Sequence, residues 1–407
     1  SQVGIIGFIG LFAPQICRLL PHKRFISHLL LVMMFGALVL LACDQLSVLS
    51  QYAGYQFTAG NITAIGGIPL MLFIIAKARF ITTPDLRPPV RHTVMMTGTK
   101  YVLTGLLLLL VTLLAVSITR NAHGLVLNWH DPLAFRWPRA VVAGSCGALL
   151  AIGGVILQRL TANPLASPEV LGVNSGAACG VVLMLIFFPA TGSIGIFPAA
   201  LAGALLSLAI IICFAFGSYS SSSRILLAGT ALSALAAAVI SLLLASGAPN
   251  ASQIISWLSG SAWGATPQMA LSGLLIVVIA LPLSLLFSRW LTLLPLGGQV
   301  ASSLGLALRP VTGVLLVYCA VLSACATLLL GPMSFIGLLA PQVTRQTGVR
   351  HVAAALPVAA TTGAVLMILA DTLGRMVIWP SQTLSGVMAV LRGTPVVVLL
   401  FCRKRCG

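Results

Sequence analysis

The sequence predicts an all-α membrane protein that crosses the bilayer many times, and three observations indicate this class. Only 7% of the 407 residues are charged and 59% are hydrophobic, whereas about a quarter of a soluble chain is charged. Residues 170–223 and 225–288 contain no charged side chain. Long apolar segments cross lipid as helices, because helices pair their backbone polar groups internally. These features exclude a soluble enzyme, a nucleic-acid-binding protein and a disordered chain.

Eleven apolar stretches are long enough to span a bilayer as helices. They lie at residues 27–43, 60–76, 101–119, 140–158, 170–189, 196–216, 225–245, 268–288, 311–330, 352–370 and 386–401. Two shorter stretches, 3–17 and 332–344, barely cross the hydrocarbon at about 1.5 Å per residue. None of the stretches shows the alternation of apolar and polar residues that a barrel strand requires. We therefore expect thirteen spans if both short stretches are counted.

The basic residues predict the orientation of these spans. If successive spans alternate in direction, 17 of the 22 Lys and Arg residues fall on one side, and Arg120, Arg136, Arg139 and Arg375 fall on the other. Arg392 lies within or near the last stretch. The positive-inside rule places the side with 17 cations in the cytoplasm. The net charge of +17 is thus distributed over loops and does not form one patch for nucleic acid.

An internal repeat relates the two ends of the chain. The segment FIGLFAPQICR at residues 8–18 recurs as FIGLLAPQVTR at residues 335–345. The same offset carries Asp44 onto Asp371. Self-similarity of this kind indicates two collinear copies of one structural unit.

The repeat predicts how the chain is divided. Residues 1–80 form the C-terminal part of a first copy, and residues 101–407 form a complete second copy. Prolines and charges in residues 81–100 favour a solvated cytoplasmic linker over a helix. We expect the remainder of the first copy to lie upstream of Ser1.

Several segments of the second copy resemble one family. They are RWPR at residues 136–139, QRLTANPLASPEVLGVNSGA at residues 158–177 and GPMSFIGLLAP at residues 331–341, followed by Asp371 and by Gly393-Thr394-Pro395. Together they resemble the iron-siderophore and vitamin B12 permeases, which are type II importers of the ATP-binding-cassette class. The resemblance implies a ten-span permease half preceded by the last three spans of another half. Two halves in one chain are similar to the ferric hydroxamate (ferrichrome-type) branch, which implies ferric hydroxamate siderophores as the substrate.

The same resemblance implies the partners. Family members sit in the bacterial inner membrane and work by alternating access, with a cytoplasmic ATPase subunit and a periplasmic siderophore-binding protein. This chain contains no G-x-x-x-x-G-K-[ST] segment, so ATP is expected on the partner and neither a cofactor nor a metal is expected here.

The stretch between Arg289 and Arg309 corresponds to the family's coupling loop. The resemblance implies that its short helices dock into a groove of the ATPase. The expected coupling residues are Leu296, Gly297, Gly298, Gln299, Ala301, Leu304 and Gly305. The family usually has an acidic residue near position 298 or 299, where this chain has Gly298 and Gln299. A solvated loop is the alternative interpretation.

Three arginines are expected to dock the binding protein. By resemblance, Arg136, Arg139 and Arg375 on the outer face grip acidic residues of that partner. The first copy has Val48 at the position equivalent to Arg375, so the two copies would contact the binding protein differently. The alternative is that these long side chains only extend toward the membrane interface. For Asp371 we expect a structural role, such as pairing with Arg375.

A broken segment is expected near the translocation path. Prolines and glycines between Asn163 and Ala177 disfavour a continuous helix, and irregular backbone within a membrane requires protein or a watery cavity around it. The candidate path residues are Asn163, Pro164, Pro168, Glu169, Gly172, Asn174 and Arg392. An ordinary cytoplasmic turn is the alternative, in which Glu169 caps the next helix or pairs with Arg159.

Two other function classes fit less well. A proton-coupled secondary transporter, the second choice, would need buried titratable residues along its path, and the spans offer almost none. An intramembrane hydrolase would need a motif such as H-E-x-x-H or G-x-S-x-G, and neither occurs in the sequence.

Overall fold

The computed structural model describes a large part of the chain. The described residues are 9–17, 25–52, 58–77, 98–121, 124–127, 132–188, 195–215, 222–245, 251–258, 260–262, 264–333, 335–349, 351–377, 386, 388 and 389. Of the predicted spans, 386–401 therefore lies almost wholly outside the described residues.

Helices account for nearly all of the described structure. Their bounds are α1 Ile9–Cys17, α2 Phe25–Tyr52, α3 Ala59–Lys77, α4 Gly98–Ser117, α5 Pro132–Leu160, α6 Val173–Phe187, α7 Ile196–Ala215, α8 Ser222–Ala245, α9 Ala251–Leu258, α10 Pro267–Leu286, α11 Ser288–Leu293, α12 Gly298–Ser303, α13 Leu308–Leu330, α14 Ile336–Gln346 and α15 Val352–Val377. Within the described part of the chain, seven helices are long and apolar enough to cross a membrane. The predicted all-α membrane class is confirmed.

A small β-hairpin departs from the helical pattern. Strand β1, Ile118–Asn121, pairs antiparallel with β2, Gly124–Leu127. The apolar stretch predicted near residues 101–119 corresponds to α4, which stops at Ser117, two residues before the end of that stretch. The β-branched residues Ile118 and Thr119 favour a strand, and the polar pair that follows them leaves the apolar run.

The helices form two compact units. The first contains α1–α3 and α6–α8, and the second contains α4, α5 and α10–α15. These units are defined by contacts, whereas the division predicted from the repeat separates two copies of a sequence. The predicted division therefore stays a prediction.

The second unit is built around α5, which is almost entirely buried. Helices α10, α13, α14 and α15 all pack against it. Glycine allows two of these approaches: a Cβ at Gly147 would overlap the carbonyl oxygen of Gly363 on α15, and one at Gly154 would overlap that of Gly337 on α14. Small residues let helix backbones approach closely in this way. Helix α4 also packs against α5, so the result is a central helix surrounded by five others among the described residues.

In the first unit, α3 packs on α8, and α6 packs on α7 and α8. Here too the backbones touch, because a Cβ at Gly180 would overlap the carbonyl oxygen of Ala199. Along α2 the large apolar side chains, such as Met33, Leu38 and Leu41, are more than half exposed. An apolar face of this kind is expected to contact lipid.

Candidate functional site

A buried ion pair joins α5 to α15. The guanidinium of Arg139 donates from Nε to Asp371 Oδ1 at 3.0 Å and Oδ2 at 2.9 Å, and from Nη2 to Oδ1 at 2.9 Å. The two side chains are only 9% and 2% exposed. Charge-assisted bonds that fix both partners in one geometry are the strongest hydrogen bonds that side chains make. This pair therefore holds the two helices in register at one end.

Two further arginines contact the C-terminal turn of α4. Arg375 Nη2 donates to the carbonyl oxygen of Ala115 at 2.8 Å, and Arg136 Nη1 donates to that of Val116 at 3.4 Å. The last carbonyls of a helix lack partners within the helix and carry the negative end of its dipole. Arg375 Nε also lies 3.5 Å from Asp371 Oδ2. We call Arg136, Arg139, Asp371 and Arg375 the arginine cluster.

The arginine cluster brings together the three arginines that the sequence analysis assigned to docking. It holds three cations and a single carboxylate, so it keeps a positive charge. Arg139 is buried, whereas Arg136 and Arg375 are partly exposed. The pairing of Arg375 with Asp371 was readable from their spacing of four residues on one helix. The closer partner, Arg139, is 232 residues away in sequence, and no sequence signal joined them.

A second site fastens the broken segment to α14. Glu169 lies in a 3-10 helix, Pro168–Leu171, and its Oε2 accepts from Ser167 Oγ at 3.2 Å and from the backbone N–H of Phe335 at 3.1 Å. The backbone N–H of Gly337 also donates to Glu169. Phe335 precedes α14 and has a φ of 75°, which is costly for a residue with a side chain. Glu169 therefore caps the N-terminus of a helix that is distant in sequence.

Packing reinforces this contact. A Cβ at Gly337 would lie 2.7 Å from Pro168 Cδ, and Gln342 Nε2 donates to the carbonyl oxygen of Pro164. We call Pro164, Pro168, Glu169, Phe335 and Gly337 the glutamate junction. It joins two of the segments that carry the family resemblance. One alternative from the sequence had Glu169 capping the next helix, α6; its carboxylate instead accepts from the backbone at the start of α14.

Burial raises the pKa of Glu169 to about 7, and the bonds from Phe335, Ser167 and Gly337 oppose that rise. Desolvation disfavours the charged carboxylate, while donors directed at it favour the charge.

The remaining path candidates occupy varied surroundings. Asn163 Oδ1 accepts from the backbone N–H of Leu165 at 2.9 Å, which is a local turn bond. Gly172 precedes α6 with a φ of 71°, and Asn174 is 3% exposed within α6. Arg392 lies outside the described residues. The structure thus shows the predicted break in the helix between α5 and α6.

The predicted coupling loop projects apolar side chains. Leu296 ends a 3-10 helix, Leu294–Leu296, and α12 follows it. Leu296, Val300 and Leu304 are each about half exposed, whereas Ala301 is buried. Gly297 and Gly305 have φ values of 101° and 83°, which only glycine adopts without strain. Clustered exposed apolar side chains mark a surface that contacts another molecule.

The chain belongs to the FecCD transport family, whose sequence profile matches residues 1–77 and 100–403. It is 40% identical over 415 residues to the iron(3+)-hydroxamate import system permease protein FhuB of Escherichia coli K12, covering 99% of this chain and 62% of FhuB. It is 35% identical over 279 residues to the Fe(3+) dicitrate transport system permease protein FecD of the same organism, covering 68% of this chain and 87% of FecD. The chain spans about three fifths of the length of FhuB.

A solved structure has the same fold. It is a metal-chelate type ABC transporter in an inward-facing conformation, which aligns with a TM-score of 0.68 at 26% identity over 74% of this chain and 98% of that one. The resemblance predicted from the sequence is confirmed. The permease relatives, together with the apolar helices of this chain, indicate a multi-pass protein of the inner membrane.

Proposed function

We propose that this chain is a permease subunit of an ABC importer that moves ferric hydroxamate siderophores across the inner membrane by alternating access. The observation that carries the proposal is the similarity to FhuB over almost the whole of this chain. The internal repeat supports it, since two related halves can enclose one path. ATP hydrolysis takes place on a separate cytoplasmic subunit.

The arginine cluster is the proposed docking site for a periplasmic siderophore-binding protein. Its surplus positive charge attracts carboxylates of that partner and speeds encounter at low salt. Arg136 and Arg375 are the more accessible donors. Arg139 contributes through Asp371, because its guanidinium is buried in that pair.

The coupling loop is the proposed contact with the ATPase. Leu296, Val300 and Leu304 insert into an apolar groove of that subunit, while Gly297 and Gly305 set the turns on either side of α12. These apolar contacts are enough to pass movement of the ATPase subunit on to the permease. The acidic residue that this loop lacks is therefore not needed for coupling.

The broken segment is the proposed boundary of the translocation path. One part of this boundary is attached to α14 by the glutamate junction and consists of Asn163, Pro164, Pro168 and Glu169. Gly172 and Asn174 begin α6, and Arg392 is kept as a candidate in the final span.

Uptake by reconstituted vesicles tests the function. The protein with the remainder of the first copy that is expected upstream of Ser1 is reconstituted with its ATPase and binding protein, and entry of iron-55-labelled ferrichrome is measured. We expect uptake that requires ATP and stops when the ATPase lacks its catalytic glutamate. Uptake driven instead by a proton gradient without nucleotide would contradict the proposal and favour a secondary transporter.

A further inference from the structure

One tyrosine of α13 contacts α10 at two levels. Tyr318 is buried, and its hydroxyl donates to the backbone carbonyl oxygen of Ala280 in α10. Its ring also meets the ring of Phe287 edge to face, with the two centroids 5.3 Å apart. Phe287 is the residue between the end of α10 and the start of α11. A single side chain of α13 therefore fastens both the body of α10 and its C-terminal end.

The two contacts lie on either side of a proline. Pro282 is inside α10, after Ala280 and before Phe287 in the chain. Proline has no N–H to donate to the carbonyl four residues earlier, here that of Val278, and its ring crowds that carbonyl. Helices bend most readily at such positions. Tyr318 thus bridges a turn of α10 that is one backbone hydrogen bond short.

The aromatic contacts continue toward the coupling loop. The ring of Phe287 stacks on that of Trp290 in α11, with the centroids 5.2 Å apart and the planes 19° from parallel. The next residue, Leu291, is fully buried, so α11 is also held by packing. Helix α11 leads into the coupling loop, and α13 follows it. The loop therefore begins beside Trp290 and returns to the helix that carries Tyr318.

The surroundings strengthen the bond between Tyr318 and Ala280. Both residues are buried, with exposed fractions of 9% and 4%, and a hydrogen bond in a low-dielectric interior is electrostatically stronger than one in water. Edge-to-face rings attract each other but leave more freedom to slide than a hydrogen bond does. The hydroxyl therefore fixes the part of α10 before the proline, and the ring restrains the part after it.

We propose that Tyr318 is a positioning residue for transport, which braces α10 across Pro282. With the brace in place, a displacement of the coupling loop moves α10 and α13 together. Without it, the turn at the proline bends and absorbs part of that displacement. The inference rests on the proposed coupling role of the loop and adds the path by which the movement enters the membrane helices.

Hydrogen exchange tests the brace on this chain without any partner. Deuterium uptake by the backbone amides of residues 283–287 is followed by mass spectrometry in detergent. Tyr318→Phe removes the hydroxyl and keeps the ring, so we expect these amides to exchange about tenfold faster, the effect of losing one buried hydrogen bond. Tyr52→Phe, at a tyrosine that is 86% exposed, is the matched control and should exchange like wild type. Equal exchange in Tyr318→Phe and wild type would overturn the brace.

The role in coupling is tested on the protein that includes the remainder of the first copy, with its ATPase and binding protein. The readout is the amount of labelled ferrichrome taken up per ATP hydrolysed. Tyr318→Phe should lower this ratio about fivefold, which corresponds to one ordinary hydrogen bond. The ATPase subunit should still co-purify in wild-type amounts, because the exposed side chains of the loop are unchanged. Loss of that co-purification would assign Tyr318 to the shape of the loop and overturn the brace.

A second variant separates positioning from packing. Pro282→Ala supplies the missing backbone bond, so the brace is no longer needed. The double change of Pro282→Ala with Tyr318→Phe should therefore recover most of the uptake ratio and the slow exchange of residues 283–287. A double variant as defective as Tyr318→Phe alone would mean that the hydroxyl acts through packing and would overturn the positioning role.

The same assays separate this inference from the proposed function. If wild type takes up ferrichrome with ATP and Tyr318→Phe has the same ratio, the positioning role is wrong and the proposed function stands. Wild type that takes up none would overturn the proposed function and the coupling role with it, and the exchange rates would then decide on the brace by themselves.

Discussion

At the scale of single residues, two carboxylates organise the described structure. Asp371 holds Arg139 and Arg375, and Glu169 holds the start of α14. Each lies among apolar helices, where a charge without partners is costly. The groups that pair with these carboxylates are therefore needed for the stability of the fold, and some of them are also candidate functional groups.

Replacing Asp371 by Asn should destabilise the protein by about 3 kcal/mol, because a buried arginine then loses its counter-charge. The free energy of unfolding in a denaturing detergent series measures the effect. Asp44→Asn is the matched control, since Asp44 occupies the equivalent repeat position but is exposed, and it should cost less than about 0.5 kcal/mol. Equal losses in the two variants would show that the buried pair adds no stability.

Glu169 should make stability depend on pH. Its pKa is raised from 4.5 to about 7 in the folded protein, so the folded state holds a proton that the unfolded state releases. Stability from this group is therefore complete below about pH 4.5 and is lost as pH rises through about 7. Melting temperatures at about pH 5 and about pH 8 should differ less in Glu169→Gln than in wild type. An identical pH slope in both proteins would contradict this assignment.

At the scale of elements, close contacts between helix backbones set the geometry of the second unit. Helix α5 touches α15 at Gly147 and α14 at Gly154. These contacts position both the arginine cluster and the glutamate junction, because Arg139 lies on α5, Asp371 lies on α15 and Phe335 directly precedes α14.

Gly147→Ala should separate α5 from α15, because the added methyl group overlaps the carbonyl oxygen of Gly363. Overpacking of this kind costs about 1–3 kcal/mol, read as a lower melting temperature. Gly313→Ala on α13 is the control. Its Cβ meets nothing within 4 Å, so the better helix propensity of alanine should leave stability equal or higher. An unchanged melting temperature in Gly147→Ala would mean that α5 and α15 can separate without loss of stability.

At the scale of the whole molecule, the proposed transport cycle depends on a loop that is apolar yet exposed. Leu304→Ser should reduce co-purification of the ATPase about tenfold, since one exposed leucine loses its burial in the partner. Leu304→Met keeps the apolar contact and should retain binding. Full ATPase binding by the serine variant would remove the coupling role from α12.

Much of the fold could be predicted from the sequence. The uncharged stretches became α6, α7, α8 and α10, since apolar length alone decides which segments can cross lipid. The breaks at Pro164 and Gly172 were also predictable, because proline and glycine act locally on the backbone. The β-hairpin was missed, since its four-residue strands have no periodicity distinct from the end of a helix.

The sequence by itself determined the membrane class, the repeat and the family, since these depend on composition and on motifs that are contiguous in the chain. Only the tertiary structure decided that Arg139 faces Asp371, that Glu169 caps α14, and that Arg159 and Arg345 share a cleft. Each of these relations joins residues more than 160 positions apart. They arise because α5, α14 and α15 pack backbone to backbone, and helix packing is a property that no local pattern specifies.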